Sequence, residues 1–385
     1  MTKSEMTLHR HKQAVPERVV LEGVPRVGFW DPEVSEGRCP EDIPFPSCLR
    51  AWLEYRGENL GCRHATVEGA DWGLGCAYAY LVGTSGTGFF LSWKPGWHGG
   101  NLDVRHMSED PLAPFDHAFA SISYAYEYVG KEEYGEDDFR RRIMESIADR
   151  GHPVLALGVI GPPECCLVTG YDEGGDVLVG WNYFQGDPAL QDDVTFEPSG
   201  YFRKVEWFKD TECLILLGEK EATPSFSHVY RDALSWALTV MRTPVTGEDR
   251  RNGLMAYEAW ADQLLRDADF PDDISVLRQR YMVHNDAVGM VAEGRWYASL
   301  FLAHIAQQEW KMAEDLYRAA AYCASEHALM WKVWEVTGGP GYGDEHAEKL
   351  ADPQARCQIA SLILQARDKD ARAADHIERA LEKEG

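Results

Sequence analysis

The chain has 385 residues, 45% of them apolar and 11% aromatic, which is material for about two ordinary domains with real cores and excludes a disordered protein. Its formal net charge of −25 sets the surface against phosphate backbones and anionic lipid headgroups, so neither nucleic acid nor membrane is expected as a partner. No apolar run reaches the roughly 18 residues of a membrane span, the first twenty residues hold no signal-like apolar stretch, and nine scattered cysteines fit reduced thiols, so the expected location is the cytoplasm.

Residues 1–23 read as an N-terminal arm. His9 and His11 fall in it and read as chance, and the sequence has no H-E-x-x-H and no C-x-x-C, so no metal and no other cofactor is expected. In PFPSCLRAWLEYRG, residues 44–57, Ser47 is a helix-capping residue type, and Leu49, Trp52, Leu53 and Arg56 follow at helical spacing. Cys48 then sits in the first turn, where the positive end of a helix lowers a thiol pKa and sharpens the nucleophile. The competing reading puts Cys48, Trp52 and Tyr55 in one buried stripe.

The glycine-rich LVGTSGTGFFLSW, residues 81–93, lacks the strand-to-helix setting and the Lys-Ser/Thr of a phosphate loop, so its glycines are expected to turn the backbone or let a neighbour approach. His98 follows in a loop that assigns it no role. From 154 to 217 the segments VLALGVI, CCLVTGYD, DVLVGW and ECLILLG predict an antiparallel sheet, with GPPE and EGGD as hairpin connections. Alternation puts Glu164, Cys166 and Val168 on one face and Cys165, Leu167 and Thr169 on the other. A bridge between adjacent Cys165 and Cys166 would be strained, so both are free thiols. Glu164, directly after Pro-Pro, is a carboxylate that needs solvent or a partner.

From about residue 226 the period becomes 3.6 and predicts helices to the end, with GGPGYGDE at 338–345 as an interhelix loop. KEATPSFS at 220–227 marks the boundary between a domain at 24–219 and a helical domain at 226–385. Residues 1–225 carry a net −17 and the rest −8. Trp331 and Trp334 read as packing, and the amphipathic helices offer a surface to a second copy of the chain.

PFPSCLRAWLEYRG, LVGTSGTGFF and VTGYDEGGDVLVGWN, in this order, resemble the papain-like N-terminal domain of the butirosin-biosynthesis protein H family and, more distantly, the bacterial leader-peptide cysteine peptidases. The likeness spans roughly residues 24–217, and a helical C-terminal half is often attached to that domain. It implies an α+β fold: a papain-like domain, with a helix packed on an antiparallel sheet, followed by an all-α domain. It also implies acyl transfer, in which a Cys at a helix start attacks a thioester or amide, a His at a strand start takes its proton, and an Asp or Asn orients that His. In register, this sequence has Pro44 in the nucleophile position, Glu164 in the histidine position and Trp181 or Asn182 in the orienting position.

Three functional readings follow. In the first, the chain is a cysteine-dependent acyltransferase or amidohydrolase acting on a small amine, peptide or acyl-carrier substrate. Pro44 and Pro46 delay the helix, Cys48 replaces the nucleophile, Glu164 is the base, Asn182 orients it, and Cys166 is the other thiol beside the site. In the second, the cleft binds a ligand without reacting, and the acidity of the first half favours cations and amines. In the third, the helical half serves assembly.

Overall fold

The structure, a computed structural model, describes residues 16–29, 40–58, 77–190, 193–222, 225–247 and 249–383; His9 and His11 lie outside the described residues. Strand β1 (Val19–Val20) is followed by helices α1 (Pro44–Tyr55) and α2 (Ala77–Thr84), β2 (Ser92–Trp93), α3 (Ala113–Ile122), β3 (Tyr124–Gly130) and α4 (Glu136–Met144). Then come β4 (Val154–Leu157), β5 (Cys165–Asp172), β6 (Val177–Trp181), β7 (Val194–Phe196), β8 (Phe202–Lys204) and β9 (Cys213–Lys220).

Among the described residues, eight of these strands form one antiparallel sheet in the order β3-β9-β4-β5-β6-β8-β7, with β1 added to β5. The four expected strands are β4, β5, β6 and β9. Their near-continuous apolar runs have a physical cause, because both faces of the sheet are covered. Cys165 and Leu167 pack on the α1 side, whereas Cys166 and Val168 join Phe139 and Ile143 of α4 on the other. Strand β3 (YAYEYVG) went unanticipated; its tyrosines stack on α3, Tyr126 against Phe119 with ring centroids 4.6 Å apart.

The second half contains α5 (Phe226–Arg242), a short pair β10 (Val245–Thr246) and β11 (Arg250–Asn252), and helices α6 (Leu254–Leu264), α7 (Ile274–Gln308), α8 (Ala313–Thr337), α9 (Asp344–Ala351) and α10 (Pro353–Glu382). Caps start these helices where the sequence offers them: Ser225, Asp273 and Asp352 each accept a first-turn amide. The hairpin corrects the expectation of helix throughout this half, and β11 pairs with β2 far upstream. One hydrophobic cluster runs from Leu155 and Leu167 in the sheet through Trp52 of α1 to Leu234 of α5, Phe301 of α7 and Ile377 of α10. The fold is therefore α+β, a large antiparallel sheet followed by a helical region, with apolar packing continuous across residues 220–226.

Helix α7, 35 residues and about 52 Å long, passes behind the glycine-rich segment. A Cβ on Gly83 would lie 2.2 Å from the Phe301 ring, and one on Gly88 would lie 3.2 Å from both the Ala298 Cβ and the Gly294 carbonyl. The glycines are there so that α2 and the turn after it can lie against α7.

Candidate functional site

The start of α1 is where a papain-like nucleophile would stand. The helix begins at Pro44 with Ile43 as N-cap, so the two prolines sit inside the first turn and do not delay it. Ser47 is not the cap: its amide already bonds to the Ile43 carbonyl at 3.3 Å, and its hydroxyl donates to Glu41 Oε2 at 3.4 Å. The donors just before the helix are occupied by the protein itself. Asp42 N–H donates to Glu293 Oε1 at 2.7 Å, Ile43 N–H donates to the Tyr78 hydroxyl at 3.0 Å, and that hydroxyl donates onward to Glu293 Oε1.

Cys48 lies one turn further in and has 0% of its surface exposed. Its thiol donates to the Cys165 carbonyl at 3.4 Å, and burial pushes its pKa up, the reverse of the lowering expected from the helix end. Desolvation outweighs the helix field because no solvent reaches the sulfur. Cys165 is buried beside it, its thiol also pushed well up by burial and by Cys48. Cys166 sits on the opposite face of the sheet, so Cys48 and Cys166 are not brought together. Asn182, just after β6, is held by the backbone, its amide donating to the Gly158 carbonyl at 2.9 Å and its Oδ1 accepting from Phe184 N–H at 2.7 Å, and of the sequence-named residues it meets Cys166, whose thiol lies in hydrogen-bond reach of its side chain. Six described cysteines are unpaired, and of these Cys357 is the exposed one.

Glu164 behaves differently. It precedes β5, in a turn closed by its own amide to the Pro162 carbonyl at 2.7 Å and by Gly158 N–H to its carbonyl at 3.0 Å. The residue as a whole is partly exposed, yet burial of its carboxyl, reinforced by the charges of Asp103 and Asp286, raises its pKa to about 8. Arg105, the cation that opposes this rise, is already held by both oxygens of Asp103 at 2.7 to 3.1 Å.

The Asp286 charge that reaches Glu164 comes from α7. Asp286 is partly exposed and is raised to about 6 by burial, while the Tyr342 hydroxyl donates to its Oδ1 at 3.2 Å. Glu293, seven residues on and on the same face, is also partly exposed; burial, with the charge of Asp42 added, pushes it well above the usual carboxyl range. None of these three carboxyls is ion-paired among the described residues, and the Asp286 charge reaches Glu164. No group of His, Cys, Asp and Glu among the described residues has metal-binding geometry, and no described helix is long and apolar enough to cross a membrane.

The opposite side of α7 contains an enclosed charge that is fully satisfied. Arg295, with 0% exposure, donates to Asp370 from Nε and Nη2, both at 2.9 Å, to the Gly88 carbonyl at 2.7 Å and to the Phe89 carbonyl at 3.1 Å. Glu326 completes the group at 3.4 Å. The glycine-rich turn thus presents carbonyls to a cation, the inverse of a phosphate cradle, which presents amides to an anion.

Sequence reasoning singled out Glu164 and did not single out Asp286, Glu293 or Arg295. A signal was present: between Tyr281 and Ala306 these three are the only Asp, Glu, Lys or Arg residues. No protein-family model matches the chain, and no curated protein matches it.

Proposed function

We propose that the chain is a ligand-binding protein of papain-like build whose crevice takes a cationic small molecule and performs no acyl transfer. The observation that carries this reading is the pair Glu164, just before β5, and Asp286, on α7, near enough for the Asp286 charge to raise the Glu164 pKa and without an ion-pair partner among the described residues. Burial raises both, so an entering ammonium or guanidinium supplies a countercharge that both lack. Tyr342, 69% exposed, adds an aromatic face that suits a cation.

The papain-like part of the proposal is supported by order and placement: α1 packs on β5, Glu164 stands just before β5, and Asn182 stands just after β6. Acyl transfer lacks its nucleophile in this arrangement. Pro44 occupies the helix start and has none to offer, the donors before it are bonded to Glu293 and Tyr78, and the Cys48 sulfur is enclosed.

Calorimetric titration and thermal melting with a panel of amines, and with carboxylates as the opposite-charge control, test the proposal. The native protein is expected to bind and be stabilised by amines alone, more strongly at pH 8.5 than at pH 6 because both carboxyls ionise over that interval. Glu164→Gln combined with Asp286→Asn is expected to lose the effect. Equal stabilisation by carboxylates, undiminished amine binding in the double variant, or labelling of Cys48 in the native protein by a thioester probe would overturn it.

A further inference from the structure

We infer that Val159 is a positioning residue for the proposed cation site: its side chain, seated in the core by a backbone conformation that valine avoids, fixes the loop at 158–164 and so holds the Glu164 carboxyl in its enclosed place. This rests on the cation-binding reading above and adds what sets one of its two carboxyls.

The first observation is the backbone of that loop, which connects β4 to β5. Among the described residues six that are not glycine have positive φ, and Val159, at +70°, is the β-branched one. Left-handed backbone crowds Cβ against the following carbonyl oxygen, and a second branch at Cβ makes the crowding worse. Glycine would remove the conflict, and the same loop uses glycine where it needs the room. Gly158 has φ +97°, and a Cβ there would lie 2.1 Å from the Asp210 carbonyl oxygen. A strained residue persists only where its surroundings hold it, and at 159 the side chain is what they hold.

The second observation is where that side chain goes. Val159 has 0% of its surface exposed and belongs, with Ile160, to the apolar cluster on the α4 face of the sheet, which also contains Val168, Leu214 and Trp207. The loop thus dips into the core at Val159 and Ile160 and returns to solvent at Pro162. Closing the loop alone would be served by glycine at 159; valine adds an anchor.

The third is the link from the anchor to Glu164. Gly158, the residue before Val159, donates its N–H to the Glu164 carbonyl at 3.0 Å, and its own carbonyl accepts from Asn182 Nδ2 at 2.9 Å. Glu164 N–H donates back to the Pro162 carbonyl at 2.7 Å. Of the four residues between Val159 and Glu164, two are prolines with fixed φ. A shift at Val159 is therefore passed on to Glu164 and not absorbed on the way. Asn182 acts on the same loop from β6, so it too positions Glu164 through the backbone.

Val159→Gly separates the two roles of the residue, because glycine accepts the same φ and leaves out the anchor. Carbon-detected NMR titration of the Glu164 carboxyl and calorimetric titration with propylamine at pH 8.5 read the effect in the full-length protein, with folding checked by circular dichroism and urea unfolding. In Val159→Gly the Glu164 midpoint is expected to fall by about one pH unit or more from its native value, as the carboxyl gains solvent, and propylamine to bind at least about fivefold more weakly. Should that variant fail to fold, Asn182→Ala, which frees the Gly158 carbonyl and leaves Val159 in place, is expected to move both readings in the same directions. A lower urea midpoint with the Glu164 titration and the amine affinity unchanged would make Val159 core packing and overturn the inference. A native protein that binds no propylamine would overturn the cation reading instead, and the Glu164 midpoint alone would then decide whether Val159 holds the carboxyl in place.

Discussion

Two faces of one helix hold their charges in opposite ways. On the inner side of α7, Arg295 is fully enclosed and matched by Asp370, with two backbone carbonyls and Glu326 completing its shell. On the outer side, two residues before Arg295 and nine before it, Glu293 and Asp286 are partly exposed, and neither they nor Glu164 forms an ion pair among the described residues. Enclosed charge in a folded chain is costly unless matched, so the inner group reads as architecture. Partly open charge of one sign, left unmatched where burial already strains it, reads as a place reserved for something else.

The comparison breaks most visibly if the inner charge proves dispensable. Arg295→Met leaves Asp370 and Glu326 buried without a cation and is expected to cost about 3–5 kcal/mol in urea unfolding. Adding Asp370→Leu should recover part of that loss, because replacing a whole buried pair is far cheaper than halving it. An unchanged urea midpoint in the single variant would remove the architectural role.

The outer side predicts an effect of opposite sign. Burial holds the Glu164 carboxyl at about 8, above its unfolded value, so the folded state keeps the proton longer. The stability this contributes is complete below the ordinary carboxyl range and is lost as pH rises through about 8. Glu164→Gln does not undergo that loss, so relative to the native protein it should gain about 1–3 kcal/mol between pH 5 and pH 9. Parallel stability curves for the two proteins would place Glu164 in ordinary solvent. The smallest expected effect is that of Cys48→Ala: about 1 kcal/mol of lost packing and no change in amine binding, where a catalytic or ligand-contacting thiol would alter binding.

The sheet was legible because β4, β5, β6 and β9 are apolar runs punctuated by Gly and Pro, and the helices because Ser225, Asp273 and Asp352 stand where caps belong. Strand β3 escaped notice because its alternating tyrosines mimic no aliphatic pattern, and β10 and β11 because two or three residues carry no period. Glu164 was singled out by a local argument, a carboxylate beside a turn. Asp286 was not, since its charge reaches Glu164 only through the packing of α7 against the sheet-bearing half, which no local pattern records. Cys48 misled for a related reason: Ser47 looked like a cap, but the proline at 44 already starts the helix, and the thiol falls a turn deeper into the core.

On the proposed reading, Glu164 and Asp286 are unmatched carboxyls that take a cation. Carbon-detected NMR titration of these two side chains, with and without propylamine, measures this directly. Midpoints near 8 and 6 are expected in the free protein, both moving down when the amine is bound. Midpoints at ordinary carboxyl values, or midpoints that ignore the amine, would contradict it.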